Sequence, residues 1–479
     1  MVYEEVFMHP LSNDYKENIL ATEKRLGYGK SFDVLEKRMS VGGTEITFFY
    51  VDGFVKDSEM QRVMQTLLSE KRLGGAYETE RTIPYVELAR TSDADALATA
   101  VLSGQTALLA QSFGNEAILL DLRTYPARET AEPETDRVMQ GARDGFVETL
   151  IMNTALLRRR IRDGNLVMRH FDIGGASHTD VVVCYMDGTA KPEYVDIICE
   201  KLSTVRPKTL TLGTQSLSEC LIERRWFNPF PKVRTTERPD TAAAQVLEGS
   251  ILVFCDTSPE VMILPTSIFD FFEEADDYSF PPLTGSYLRL VRIAIMFLSV
   301  LITPLWYLVQ EYAAALPDML SFLVPEDAGA LPLIFQLVIA ELAIDGLKLA
   351  SMNTPDMLSN SLSVVGALIL GDFAVTVGWF CPDVIFYMAC VSIANFAGQN
   401  HELGYAFKFM RMMILGFVYF LGLSGLIIGI ALFLAFISFN RSIGGIGSYL
   451  FPLIPFSPRV LLKHFIRRRK SDISKAGDA

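Results

Sequence analysis

Residues 331–350 read LPLIFQLVIAELAIDGLKLA, a run apolar enough to enter a lipid bilayer that nevertheless contains three charged side chains. Spacings of four and three residues place Glu341, Asp345 and Lys348 on one face of a helix. A charge at the centre of a bilayer costs on the order of 2.5–3.5 kcal/mol, so such groups usually face protein or water. Two readings follow: a helix that lines a polar pathway through a membrane assembly, or an amphipathic helix that lies at the membrane interface.

The composition of the whole chain favours a membrane protein. The 479 residues are 50% hydrophobic, and the mean hydropathy is +0.27. A soluble chain of this length is normally more polar, so we predict a large membrane-embedded part. The net charge of −13 argues against a nucleic-acid partner. The first twenty residues lack the pattern of a signal peptide, and the six scattered cysteines suit reduced thiols, so we expect the polar front half to be cytoplasmic.

The front half contains a weak internal repeat. Tyr50-Val51-Asp52-Gly53 corresponds to Tyr185-Met186-Asp187-Gly188, and the string VLSG ending at Gly104 corresponds to VLEG ending at Gly249. The repeat predicts two related α/β subdomains, at 41–128 and 168–285. We expect a helical arm over 1–40 that includes DVLEKRM (33–39), a long helix over 84–104, and a helical connector over 129–167. Three prolines (Pro229, Pro231 and Pro239) predict an irregular linker within the second subdomain.

Two short motifs resemble binding sites. Gly27 to Ser31 ends like a phosphate loop, but Lys24 stands where the first glycine of that motif is required. His170-x-Asp172 and His178-x-Asp180 suit a metal site or a polar strand edge equally well. We therefore predict no cofactor, no metal site and no catalytic residues, and no enzymatic activity.

The back half, 286–460, predicts a multi-span helical domain. Apolar runs occur at 288–312, 331–350, 361–380, 383–396 and 412–439, and 361–380 contains Asp372. Residues 397–411, with Lys408 and Arg411, are expected to form a cytoplasmic loop, and the basic tail 461–479 should be cytoplasmic as well. Five crossings would put that tail outside, so we expect the chain to turn back within 440–458, where prolines and glycines are frequent. The predicted fold is thus a two-lobed cytoplasmic α/β N-terminal domain followed by a transmembrane α-helical domain.

The chain resembles the A subunits of GerA-type spore germination receptors over its whole length. The resemblance rests on PFPKVRTTERPD (229–240), LEGSILVFCDTSPEVMILP (247–265) and FFEEADDY (271–278), and it departs from the family at AGQNHELGYA (397–406). It implies a multi-pass protein of the spore inner membrane that forms a homo-oligomer. It also implies a small membrane partner protein, contact with other germination proteins, and conduction or gating of monovalent cations.

Three functions from different classes remain open at this point. An ion-conducting or gating subunit would use Glu341, Asp345, Lys348 and Asp372 as ion pathway residues. A non-conducting scaffold, which would organise germination receptors through its cytoplasmic lobes, has no need of acids within the membrane. A membrane-tethered enzyme would need a polar cleft with perturbed titrating groups in the lobes.

Overall fold

The computed structural model describes 9–123, 141–222, 227–274, 276–277, 280–353, 366, 373–396, 400–440 and 449–465. It divides into two compact units. The first comprises the chain up to Glu223 together with Val233–Thr266, and the second comprises Arg224–Lys232, Ser267–Ser442 and the residues from Gly447 onward.

The first unit contains two five-stranded antiparallel sheets with the same strand order. The order is β1-β2-β4-β5-β3 in one sheet and β6-β7-β9-β10-β8 in the other. The first half of the unit consists of α1 (Tyr15–Leu26), β1 (Val34–Val41), β2 (Thr44–Val51), α2 (Asp57–Ser69), α3 (Ala76–Thr82), β3 (Leu88–Thr91), α4 (Ala94–Leu102), β4 (Thr106–Ala110) and β5 (Ala117–Leu120). The second half consists of α5 (Leu150–Arg160), β6 (Leu166–Ile173), β7 (Thr179–Met186), α6 (Pro192–Thr204), α7 (Thr214–Leu221), β8 (Arg234–Thr236), α8 (Pro239–Leu247), β9 (Ile251–Cys255) and β10 (Val261–Leu264).

The residues that carried the sequence repeat occupy equivalent places in the two sheets. Asp52 follows β2 and Asp187 follows β7, and each is succeeded by a glycine with positive φ. Gly104 and Gly249 have φ angles of 99° and 98°, each in the turn between a helix and the next strand. The identical strand order confirms the predicted duplication, whereas the predicted domain boundaries stay predictions.

Three local predictions were wrong in the first unit. Residues 33–39 form most of the edge strand β1, because pairing with β2 along its whole length outweighs the helical preference of DVLEKRM. The helix predicted over 84–104 is a strand followed by a helix, since the Asp93 side chain accepts a hydrogen bond from the Asp95 amide and begins α4 there. Pro239 does not prevent regular structure, because it is the first residue of α8, where no backbone donor is needed.

Helix α5 joins the two halves of the first unit through a buried ion pair. Its Ala155 packs in the core of the first sheet, and Leu156 and Leu157 pack in a core of the second. Arg158 donates to both carboxylate oxygens of Asp33, at 2.8 and 3.0 Å, and the two side chains are 0% and 3% exposed. The other guanidinium donors reach the carbonyl oxygens of Asp163 and Leu166 at 2.9 Å, so Arg158 ties β1 to β6.

The second unit is helical. Its longer described helices are α9 (Pro282–Glu311), α10 (Leu333–Met352), α11 (Pro382–Phe396), α12 (His401–Ser438) and α13 (Pro458–Phe465), with a three-residue helix at Ala374–Thr376 and short 3-10 turns at Ile268–Phe272, Ala313–Ala315 and Asp318–Leu323. By length and composition, α9 and α12 are able to cross a membrane. Helices were predicted where α9, α10 and α11 lie, whereas most of the run predicted at 361–380 lies outside the described residues.

Helix α12 is not straight, and its geometry corrects the prediction of a single span over 412–439. Gly422 has φ 56° and ψ −133°, which is not helical. A Cβ built on Gly425 would lie 1.9 Å from the Phe417 carbonyl oxygen, and one on Gly429 would lie 3.1 Å from the Ile414 Cα. The run predicted as a single span over 412–439 is therefore one antiparallel hairpin, with legs at 401–421 and 423–438.

The aromatic contacts agree with this reversal. In a straight helix the side chains of Phe407 and Phe433 would be about 39 Å apart, at a rise of 1.5 Å per residue. Their ring centroids are 6.1 Å apart. Residues 400–411 of the predicted cytoplasmic loop lie at the start of this hairpin, where the Asn400 side chain accepts a hydrogen bond from the Leu403 amide and caps the helix.

The close approach of the two legs gives a first testable prediction. Changing Gly425 to alanine places a methyl group against the backbone of Phe417, which has no room to yield, and we expect a loss of about 1–3 kcal/mol in the free energy of unfolding. Gly416→Ala is the matched control, because its Cβ would meet nothing within 4 Å. Thermal unfolding of the two purified variants in detergent measures the difference, and equal stabilities would show that the legs are not in contact.

Candidate functional site: a buried charge network in the helical unit

Four charged side chains meet in the interior of the helical unit. Glu341 and Asp345 come from α10, where their spacing places them on one face. Lys408 and Arg411 come from the first leg of α12, where a spacing of three residues likewise places them on one face. Glu341 and Arg411 are among the most deeply buried groups, with 5% and 1% of their side chains exposed.

The network has a closed end and an open end. At the closed end Arg411 Nη2 donates to Glu341 Oε1 at 2.6 Å, and Arg411 Nη1 donates to the Ser299 carbonyl oxygen of α9 at 3.3 Å. At the open end Lys408 Nζ bonds the carboxylate of Asp345, which is 30% exposed, and lies 3.6 Å from Glu341 Oε1. Two acids and two bases thus balance one another across α10 and α12.

Two carboxylates four residues apart on one helical face repel one another unless a positive charge lies between them. The structure places Lys408 in that position and adds Arg411. The prediction of a loop at these two residues was wrong, because 401–411 is helical and pairs with α10, whereas their cytoplasmic position stays a prediction. The spacing of Lys408 and Arg411, complementary to that of Glu341 and Asp345, was the one signal in the sequence that pointed to the pairing.

The two other predicted pathway residues are Lys348 and Asp372. The Lys348 ammonium lies 4.9 Å from the centroid of the Tyr405 ring, a cation–π distance. Asp372 lies outside the described residues. The ion pairs thus contain two of the four predicted residues, Glu341 and Asp345, together with two that were not predicted, and Lys348 lies beside Asp345.

A small cavity opens beside the Asp345 end of the network. Its volume is about 30 Å³, which is room for one or two water molecules. It is lined by Ile344, Asp345, Lys348, Ser392, Asn395, His401, Gly404, Tyr405 and Lys408. Water or a small ion thus has space at Asp345, whereas the Glu341–Arg411 pair is enclosed by protein.

Sequence comparison assigns the chain to a family. A model of the family described as Bacillus/Clostridium GerA spore germination protein matches residues 22–476. The chain belongs to the GerA family. The resemblance noted from its motifs is confirmed, so it is a protein of the spore germination and sporulation type. The family and the two apolar helices together point to membrane association.

Individual relatives extend over most of this GerA-family chain. It is 34% identical over 471 residues to stage V sporulation protein AF of Bacillus subtilis (strain 168), which covers 97% of this chain and 94% of the relative. It is 25% identical over 459 residues to spore germination protein KA of the same organism, covering 93% and 83%. A crystal structure of the N-terminal domain of the A subunit of the Bacillus megaterium spore germinant receptor GerK3 matches with a TM-score of 0.40 and 23% identity, over 54% of this chain and 97% of that one.

In this GerA-family chain, polar residues of both motifs that resemble binding sites bond to other side chains of the protein. In the segment that resembles a phosphate loop, Gly27 ends α1 with φ 68° and Lys30 bonds Asp187 at 2.9 Å. On the β6–β7 hairpin each histidine bonds one aspartate. His170 lies 2.7 Å from Asp180, and His178 lies 3.0 Å from Asp172.

Proposed function

We propose that this GerA-family protein is an oligomeric, non-enzymatic subunit that conducts or gates monovalent cations across the spore inner membrane during germination. Its partners would be further copies of itself, a small membrane protein and other germination proteins. The observation that carries the proposal is the charge network. A bundle that only needed to pack would bury apolar side chains, since replacing a buried ion pair by apolar residues is often neutral or stabilising.

The network supports gating more directly than an open path. Two carboxylates about 6 Å apart repel by roughly 3 kcal/mol at an effective dielectric near 20, so a cation between them is favoured. In the described structure Lys408 and Arg411 supply that positive charge. A monovalent cation would take their place only after α10 moves relative to α12, and the cavity beside Asp345 is where such an ion would enter.

The hairpin at Gly422 supports a topology with both ends of the helical unit on one side. The Arg289 guanidinium, near the start of α9, donates to the His464 carbonyl oxygen of α13 at 3.0 Å, so these two ends are adjacent. In this topology the second leg of α12 would make the return crossing that was predicted within 440–458. The basic residues beyond α13 favour a cytoplasmic position for both ends.

The second candidate function is a non-conducting scaffold. It is favoured by the equal number of acids and bases in the network, because buried ion pairs with complete partners are also used to fix the register of neighbouring helices. In that case Glu341 and Asp345 would hold α10 on α12 and would never bind a mobile cation.

Neutralising the acids distinguishes the two functions. The double change Glu341→Gln with Asp345→Asn keeps side-chain size and removes both negative charges. We expect flux of monovalent cations through the protein reconstituted in liposomes to fall by on the order of tenfold, the effect of about 1.4 kcal/mol on a barrier. Release of cations from germinating spores that carry the variant should slow in parallel.

A control variant distinguishes two causes of a reduced flux: the loss of the acids, and the buried bases that this loss leaves without partners. A fourfold variant adds Lys408→Gln and Arg411→Gln, so that no buried charge is left without a partner. If this variant accumulates normally and still conducts poorly, the acids act on the cation. Wild-type flux in the fourfold variant would show that the acids do not act on the cation, whereas no flux in the wild-type protein itself would favour the scaffold.

A further inference from the structure

A second cluster of buried charges surrounds the start of α9, far along the chain from the Glu341 network. Asp277, which is fully buried, accepts hydrogen bonds from Arg289 Nε at 3.2 Å and from Arg292 Nη1 at 3.1 Å. Arg289 Nη1 also donates to Glu273 at 3.2 Å, and Arg292 Nη2 donates to Glu274 at 2.5 Å. The segment before α9 is thus folded back onto its first turns.

The last described helix, α13, joins this cluster through one histidine. His464 Nδ1 lies 3.0 Å from Glu273 Oε1, and only 14% of the His464 side chain is exposed. Arg289 donates to the backbone carbonyl oxygen of the same residue at 3.0 Å. The Phe269 ring contacts the rings of His464 and Phe465, with centroids 5.8 and 6.1 Å apart. Among the described side chains of α13, His464 is therefore the titratable group in contact with the cluster.

The charged groups that face His464 come from three neighbouring segments. They are Asp270 in the 3-10 turn, Glu273 directly after it and Arg289 on α9. Burial alone lowers the pKa of His464, but the hydrogen bond to Glu273 and the negative charges of Glu273 and Asp270 outweigh it. The pKa is raised above the ordinary value of 6.5, with Arg289 opposing the rise.

We propose that α13 is a pH-sensitive latch, which stays docked against the first turns of α9 while His464 is protonated and is released when His464 loses its proton. The imidazolium makes a charge-assisted bond to Glu273, about twice as strong as the bond of a neutral donor. Release leaves Glu273 paired with Arg289 through a bond that does not involve α13. The latch acts at the start of α9 and is independent of cation conduction through the Glu341 network.

The direction of the pH dependence follows from linkage. A group whose pKa is raised by docking stabilises the docked state fully at acidic pH, and the stabilisation is lost as the pH rises through the raised pKa. Each unit by which docking raises the pKa changes the docking equilibrium by about tenfold. Docking should therefore weaken above pH 6.5 and level off at higher pH.

Hydrogen exchange of the full-length protein in detergent tests the latch. The protection of the backbone amides of 458–465, relative to an unstructured peptide of the same sequence at each pH, is measured from pH 5.5 to 8.5. We expect protection to fall by on the order of tenfold across this range, with a midpoint above 6.5. The amides of α9 serve as an internal reference and should keep their protection throughout.

Two variants identify the titrating group. In His464→Gln, which still has an amide donor for Glu273, the protection of α13 should be lower than in the wild type at pH 5.5 and constant with pH. In Glu273→Gln the midpoint should move down toward 6.5. Equal protection of α13 at pH 5.5 and 8.5 in the wild type, or an unchanged pH profile in His464→Gln, would overturn the proposal. His464 lies on the last described helix, so we expect its replacement to leave the rest of the helical unit folded. The His464→Gln variant therefore tests the latch even if Glu273→Gln fails to fold.

Discussion

Replacing Arg411 with methionine is expected to lower the free energy of unfolding of the helical unit by about 3–5 kcal/mol. Arg411 donates to Glu341 at 2.6 Å, and almost none of either side chain is exposed. Without the guanidinium, the Glu341 carboxylate stays buried, and Lys408, at 3.6 Å, is the cation that the described ion pairs leave beside it. Unfolding in detergent, followed by heat or denaturant, measures the loss, and the amount of the variant in membranes should fall with it.

A compensating variant separates the lost charge pair from lost packing. The double change Glu341→Leu with Arg411→Met removes both charges and keeps apolar volume, so we expect it to recover most of the stability lost in the single variant. Lys408→Met is the matched single change at the open end. Its effect should be smaller, because Asp345 is 30% exposed and water solvates the carboxylate that remains. A double variant as unstable as Arg411→Met would mean that the guanidinium packs rather than pairs.

The second large effect is expected in the first unit, on replacing Arg158 with methionine. The side chain bonds both oxygens of Asp33 and the carbonyl oxygens of Asp163 and Leu166. Its removal leaves a buried carboxylate and two carbonyl groups without this donor, and we expect a loss of about 3–5 kcal/mol in the free energy of unfolding. Hydrogen exchange should locate the effect, with faster exchange in β1 and β6 than in β9.

An exposed ion pair in the same region provides the control. Lys30 and Asp187 also join the two halves of the unit, at 2.9 Å, but their side chains are 66% and 49% exposed. Lys30→Met should therefore change the stability by less than about 1 kcal/mol. If both changes had the same small effect, the Arg158–Asp33 pair would not be what holds the two sheets together.

The duplicated fold was predictable because each copy needs the same backbone geometry at the same points. Glycine is required where φ is positive, and Gly104 and Gly249 kept both the residue and the angle while the surrounding sequence diverged. Strand β1 was not predictable from its own residues. DVLEKRM has a helical composition, and its strand conformation comes from pairing with β2, a contact that a local pattern does not contain.

The hairpin of α12 escaped prediction for a different reason. Residues 412–439 are apolar almost throughout, so no periodicity marks where one helix ends and the next begins. Gly422 is one of four glycines in that run, and only its φ of 56° distinguishes it from Gly416.

The candidate site was half predictable. The acids stood out because they interrupt an apolar run, which gives Glu341 and Asp345 a clear signal. Their partners did not stand out, since Lys408 and Arg411 lie 63 and 70 residues further along, in a stretch whose mixed polar residues suggested a loop. Pairing between distant helices depends on the fold, and a single sequence contains only the complementary spacing of the charged residues.

The polar contacts at the start and in the middle of α9 form at different times during synthesis of the chain. The partner of Arg292 is Asp277, which lies only 15 residues earlier in the chain. The positive charge at the start of α9 therefore has its acidic partner as soon as the helix is made. The contact in the middle of α9 forms much later, because the Ser299 carbonyl oxygen accepts a hydrogen bond from Arg411, 112 residues further along the chain. Glu341 is likewise made 70 residues before Arg411. Until then Glu341 lacks its partner on α12, so the synthesis of α12 sets the moment at which the helical unit can close.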